Sequence, residues 1–97
     1  MLFFMVMDTL ITEIIISSFA DALNYKKSSI SSISNFFEIG GESLQATKAI
    51  SRINYYLAQY TIGNGSHYKN SLSITDFFDH PNPAQLSQLL INKIKDA

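Results

Sequence analysis

The chain has 97 residues, 46% of them hydrophobic, a net charge of −1 and no cysteine. That length holds one small core and no second independent one, and that apolar content argues against disorder throughout. The scattered basic residues leave no nucleic-acid footprint, and the missing cysteines exclude disulfides, thiolate nucleophiles and Cys-type zinc sites.

The opening "MLFFMVMDTLITEIIISSFA" lacks the basic stretch of a targeting peptide, and Asp8 and Glu13 interrupt its apolar run before membrane-spanning length. It reads as an apolar lead-in, residues 1–7, ahead of a domain at 8–97 that needs no membrane. Asp8 or Thr9 is placed to cap a first helix running to about Leu23, with Ile11, Ile15, Phe19 and Leu23 at i+4 and Leu10 and Ile14 widening the stripe. Lys26 and Lys27 follow its end, where positive charge suits the helix dipole.

"SSISSIS", Ser28 to Ser34, reads as a loop because serine competes for backbone hydrogen bonds, with Ile30 and Ile33 as its footholds on the core. A second helix is expected from about Ser43 to Ala58, burying Ala46, Ile50, Ile53 and Leu57. At about 100° per residue, Leu44 falls nearly opposite that stripe, beside Lys48 and Tyr55, and faces solvent or a partner. "TIGNGSHYKNS" has no apolar period and reads as a loop. Ser73 followed by Asp76 marks a capping box for a short helix ended by Pro81. Asn82, Pro83 and Gln85 then open a last helix that buries Leu86, Leu89, Leu90 and Ile94. No strand-like alternation competes, so the expected fold is all-α: a small bundle of three longer helices and one short third helix.

The stretch "FFEIGGESLQATKAISRIN" puts Gly40 and Gly41, half of the chain's four glycines, just ahead of Ser43. Such a pair permits positive φ for a sharp turn and removes side chains so that another molecule can approach. A serine in a helix's first turn sits beside unpaired N–H groups and the positive end of the dipole, which favour an anion such as a phosphate ester. The plainer alternative is that Ser43 is an N-cap and nothing more.

These residues resemble the phosphopantetheine attachment motif of carrier domains, in the F-F-x-x-G-G-x-S-L form of peptidyl carriers from nonribosomal peptide synthetases. The likeness extends from about Thr9 to Lys95, through "LSITDFFDHP" and "PAQLSQLL" in the expected order, and implies the acyl carrier protein-like fold. It implies that Ser43 receives 4′-phosphopantetheine from coenzyme A in the active site of a phosphopantetheinyl transferase, and that the arm's thiol carries aminoacyl, peptidyl or acyl groups as thioesters. By the same resemblance the chain is a non-catalytic, cytoplasmic, monomeric carrier that meets adenylation, condensation, ketosynthase, reductase or thioesterase domains. Gly40 and Gly41 then shape the turn, Glu42 flanks the serine, and Leu44, Lys48 and Phe78 are candidate docking residues, Arg52 with Lys48. Phe77 and Phe78 divide between core and partner surface, while Phe36 and Phe37 anchor the core.

Two features depart from the family pattern. Glu42 stands where His or Asp is common, and the loop between the second and third helices is about ten residues longer than usual, with 63–70 as the insertion, an addition loops tolerate cheaply. Rival readings remain: an acyl carrier for polyketide or fatty-acid synthesis, an unmodified interaction module, or an enzyme. For the last, "GESLQ" lacks the second glycine of a nucleophile elbow, His67 lies in the loop, His80 at a helix end, and Asp76, Asp79 and His80 are a weak metal set.

Overall fold

The computed structural model describes residues 2–61 and 72–95, with side chains over 6–59 and 72–94. Four α-helices follow in order: α1 (Leu2–Leu23), α2 (Ser43–Thr61), α3 (Ile74–Asp79) and α4 (Pro83–Lys95), with a 3-10 turn at Lys27–Ser29. Among the described residues there is no strand, so the all-α bundle with one short third helix is the observed architecture. Helix α1 packs on both α2 and α4, and α3 closes against α2. Among the described residues no helix is long and apolar enough to cross a membrane.

The first helix begins at Leu2 rather than at Asp8 or Thr9. No Gly or Pro interrupts residues 2–8, and extending an existing helix fixes one residue per hydrogen bond, so it propagates through the apolar stretch. Asp8 is therefore no cap. Its carboxylate accepts from the Ser87 hydroxyl of α4 at 2.7 Å, and Ser87 in turn accepts from Thr12 at 3.1 Å, a polar bridge that satisfies the buried serine. At the other end Asn24 takes φ 59° just past the helix. Tyr25 N–H then donates to Ala20 O at 2.9 Å and Asn24 N–H to Asp21 O at 3.3 Å, the paired bonds of a Schellman closure. Lys27 pairs with Glu13.

The core centres on three rings from three parts of the chain. Phe19 meets Phe36 edge-on at 4.9 Å, Phe36 meets Phe77 edge-on at 5.0 Å, and Phe19 lies 5.5 Å from Phe77, all three fully buried. Ile11, Ile15, Ile53, Leu86 and Leu90 surround them as the stripes predict. On α2 the buried line is Ala46, Ala49, Ile53 and Leu57, with Ile50 only half-buried. Small alanines let α1 and α2 approach closely, and a methyl can occupy a seam that a larger side chain only borders. Leu10 and Ile33 are corrections of the same kind. Leu10 lies at the edge of the stripe and stays exposed, and Ile33 is 77% exposed because Ile30 alone fills the available site.

The long first loop is tied down by main-chain bonds to the α3–α4 junction: Phe36 N–H donates to Pro81 O at 2.8 Å and Ala84 N–H to Ser32 O at 2.9 Å. Within it Ser34 Oγ accepts from Ser31 N–H at 2.9 Å, the side-chain competition that serine runs favour. Asn54 on α2 clamps Leu72 from both sides, accepting from its N–H at 2.8 Å and donating to its carbonyl at 3.1 Å. Of the loop read over 61–71, Thr61 is instead the last residue of α2, which continues past Ala58, and 62–71 lie outside the described residues.

Both helix-start signals near the C-terminus are present. Ser73 Oγ accepts from Asp76 N–H at 3.1 Å and Asp76 Oδ2 accepts from Ser73 N–H at 3.0 Å, a complete capping box. Asn82 Oδ1 accepts from Gln85 N–H at 2.8 Å. The Asp76 carboxylate also takes a hydrogen bond from Lys93 of α4 at 2.8 Å, joining α3 to α4. Burial pushes the Asp76 carboxyl up, but the hydrogen bond and charge of Lys93, with the bonds from Ser73, outweigh it and hold the group below the ordinary value of 3.8. A depressed folded pKa adds stability that is fully present above the unfolded value and is lost as pH falls through the folded one. Urea unfolding of Asp76→Asn across pH is therefore expected to show a less stable variant near neutrality, with the gap from wild type closing as pH falls below 3.8. A gap independent of pH contradicts this assignment.

Candidate functional site at the start of α2

The segment leading to Ser43 is a compact turn over 35–41. Asn35 Oδ1 accepts from Phe37 N–H at 2.9 Å and Glu38 N–H at 3.1 Å, while Ile39 N–H donates to Asn35 O at 3.1 Å. Gly40 N–H then donates to Phe37 O at 3.3 Å and Gly41 N–H to Phe36 O at 2.9 Å.

The two glycines serve different needs. Gly40 has φ 110°, a conformation that L side chains rarely adopt. Gly41 is buried, and a Cβ added there would lie 2.2 Å from the Phe36 ring and 2.6 Å from the Phe36 carbonyl. The close approach that requires a bare Gly41 is thus internal: the core ring occupies the space, rather than an incoming molecule.

Ser43 is exposed and is the first residue of α2, which makes Glu42, not Ser43, the N-cap position. Ala46 N–H donates to Glu42 O at 2.9 Å, and Gln45 reaches back so that its Oε1 accepts from Glu42 N–H at 3.0 Å. The plain N-cap role for Ser43 is therefore not what the geometry contains. Among the described residues its hydroxyl has no hydrogen-bond partner and no histidine or carboxylate acting on it as a base. The N–H groups of Ser43, Leu44 and Gln45 lie in the first turn, where no helical carbonyl reaches them. An uncommitted hydroxyl beside free N–H donors and the positive helix end fits a phosphodiester attached at Ser43 Oγ.

Leu44, 68% exposed, projects away from the core on the same face as Lys48 and Tyr55. Phe77 is fully buried, as expected of the core ring, while Phe78 is 50% exposed and stacks on Phe37 at 4.7 Å. Arg52 is separated from Lys48 by its bonding: it faces Asp21 of α1 at 3.4 Å and lies over the Tyr56 ring at 5.2 Å, fastening α1 to α2. His80 Nδ1 lies 3.1 Å from the Asp76 carbonyl, a helix-end contact, and His67 is outside the described residues. No cluster that could hold a metal ion occurs among the described residues. Gln45 was missed from sequence, although a glutamine three residues after an N-cap is half of a capping-box signature.

The family of the phosphopantetheine attachment site matches residues 13–90. The chain belongs to this family. It is a carrier domain, and its cofactor is covalently attached 4′-phosphopantetheine. It is 38% identical over 79 residues, 81% of its length, to "Probable non-canonical nonribosomal peptide synthetase (NRPS) CymA" of Salinispora arenicola (strain CNS-205), and spans only 1% of that protein. Its fold is similar to that in the crystal structure of holo T3CT, with a TM-score of 0.59 and 27% identity over 79% of this chain and 93% of the other.

Substitution of either glycine tests the turn. Gly41→Ala is expected to cost about 1–3 kcal/mol through overpacking, and Gly40→Ala a similar 1–3 kcal/mol, roughly, through backbone strain. In a double-mutant cycle by chemical denaturation, Phe36→Leu recovers part of the Gly41→Ala loss and none of the Gly40→Ala loss. Equal recovery at both positions contradicts the division of roles.

Proposed function

We propose that Ser43 is the attachment serine of a peptidyl-type carrier that passes aminoacyl or peptidyl intermediates between active sites in nonribosomal peptide or mixed peptide–polyketide synthesis. The observation that carries this reading is the exposed Ser43 hydroxyl in the first turn of α2, without a hydrogen-bond partner among the described residues and preceded by the Gly40–Gly41 turn. In the attachment reaction the Ser43 oxygen bonds to the phosphorus that bears the pantetheine chain of coenzyme A, the pyrophosphate linkage breaks with adenosine 3′,5′-bisphosphate as the leaving group, and the hydroxyl proton passes to a base of the transferase. Among the described residues no base lies beside Ser43, which fits modification by a separate phosphopantetheinyl transferase, and the chain acts as a non-catalytic carrier. Once bound, the group supplies a terminal thiol for thioester linkage to cargo, and tethering holds that cargo at an effective concentration of order mM for the next active site.

The carrier unit is taken as 8–97, with 1–7 an apolar lead-in that α1 continues. Adenylation, condensation, ketosynthase, reductase or thioesterase domains are the catalytic partners of such a carrier, in the cytoplasm, and the chain acts as a monomer. Gly40, Gly41 and Glu42 frame the serine, and Leu44, Lys48 and Phe78 are the docking residues. The exposed Leu44 and Phe78 support that choice, since large apolar side chains left in solvent are the usual anchors of an interface.

Incubation with coenzyme A and a broad-specificity phosphopantetheinyl transferase is expected to add one phosphopantetheine by intact mass, and Ser43→Ala to abolish the gain. A folded chain that never gains mass is instead an unmodified interaction module. Leu44→Ala is expected to raise the KM for the transferase about tenfold, the loss of one well-buried leucine contact of about 1.5 kcal/mol, with the unfolding midpoint unchanged. An unaltered KM removes Leu44 from the docking surface.

A further inference from the structure

We infer that Tyr25 is a positioning residue for attachment at Ser43, acting through the Ile39 carbonyl. The inference rests on Ser43 being the attachment serine. The Schellman closure of α1 turns the chain at Asn24 and sets Tyr25 beside the glycine turn, where its hydroxyl donates to Ile39 O at 2.7 Å. The same oxygen lies 3.2 Å from where a Cβ of Gly40 would stand. Tyr25 is 45% exposed, so its ring adds little to the core. Among the described residues no other side chain hydrogen-bonds to the backbone of Ile39, Gly40 or Gly41.

Of the remaining bonds of the turn, Phe36 N–H to Pro81 O at 2.8 Å ties it to the α3–α4 junction and the others run between residues 35 and 41 themselves, so none of them reaches α1. On the Gly41 side the Phe36 ring supplies an anchor. On the Gly40 side Tyr25 is the link to α1. Gly40 has a glycine's wide conformational freedom and, unlike Gly41, does not lie against the Phe36 ring. Without the tyrosine hydroxyl the Ile39–Gly40 peptide keeps only the 3.3 Å bond from Gly40 N–H to Phe37 O, and Ser43, three residues on, is held less firmly in its bearing. Reaction needs the serine oxygen in line with the phosphorus of coenzyme A, so a wandering turn lowers the reactive fraction of bound carrier rather than its binding. An exposed hydrogen bond of this kind contributes little to global stability.

Initial rates of phosphopantetheine transfer from coenzyme A, measured by intact mass at varied carrier concentration, test this with Tyr25→Phe, which keeps the ring and removes the hydroxyl. The expected result is a kcat about three- to tenfold lower, the worth of one hydrogen bond, with KM and the unfolding midpoint unchanged and faster amide exchange at Gly40 and Gly41. Wild-type kcat in Tyr25→Phe overturns the inference while leaving Ser43 as the attachment serine. A raised KM at unchanged kcat makes the hydroxyl a transferase contact and also overturns it, as does a fall in kcat accompanied by a lower unfolding midpoint. A wild-type chain that gains no mass overturns the Ser43 assignment and this inference together.

Discussion

The Phe36 ring is in contact with both halves of what this molecule does. One side of it meets Phe19 and Phe77 edge-on in the centre of the bundle, and the other occupies the space that a side chain on Gly41 would need. The position of the turn ahead of Ser43 is therefore set by the packing of the core. Burial of a phenylalanine among other rings is worth several kcal/mol in all, far more than any single hydrogen bond of the turn. A glycine pair alone would leave the turn loose. Pressed onto a buried ring at Gly41 and tied to Tyr25 at Ile39, it has a set place ahead of an exposed hydroxyl.

Polar interactions divide between holding helices together and leaving one face open. Arg52, Lys93 and Lys27 each engage a carboxylate on another element or an adjoining turn, and Asp8, Ser87 and Thr12 bridge α1 to α4. These pairs are partly exposed and each contributes modestly. Their larger consequence is geometric, since they fix the seams of α1 with α2 and of α3 with α4. Leu44 and Lys48 are left outward on the helix that carries the serine, and Phe78 is left half in solvent, stacked on Phe37 of the turn.

Local patterns were legible where the governing physics is local. The capping box at Ser73 and Asp76, the Asn82 cap before Pro83 and the outward direction of Leu44 follow from spacing within one turn of helix, and all are present. The start of α1 was not legible, because Asp8 has the composition of a cap and only the position of Ser87, 79 residues away in sequence, shows that its carboxylate is otherwise engaged. Ile33 and Ile30 are equivalent in sequence, and which of them is buried depends on where the loop is pinned by Pro81 and Ser32. Ala49 was passed over for Ile50 because hydrophobicity ranks the isoleucine higher, whereas in the bundle Ala49 is fully buried and Ile50 only half-buried.

The amino-acid sequence by itself determined the helical order, the serine and the glycine turn before it, since periodicity, capping and positive φ are properties of a few neighbouring residues. Only the tertiary structure decided what Gly41 makes room for, which cation belongs to the core seam rather than the open face, and how Tyr25 reaches the Ile39 carbonyl across 14 residues. Those outcomes depend on distances between segments that no local pattern encodes, and they exist once the three buried rings have drawn the segments together.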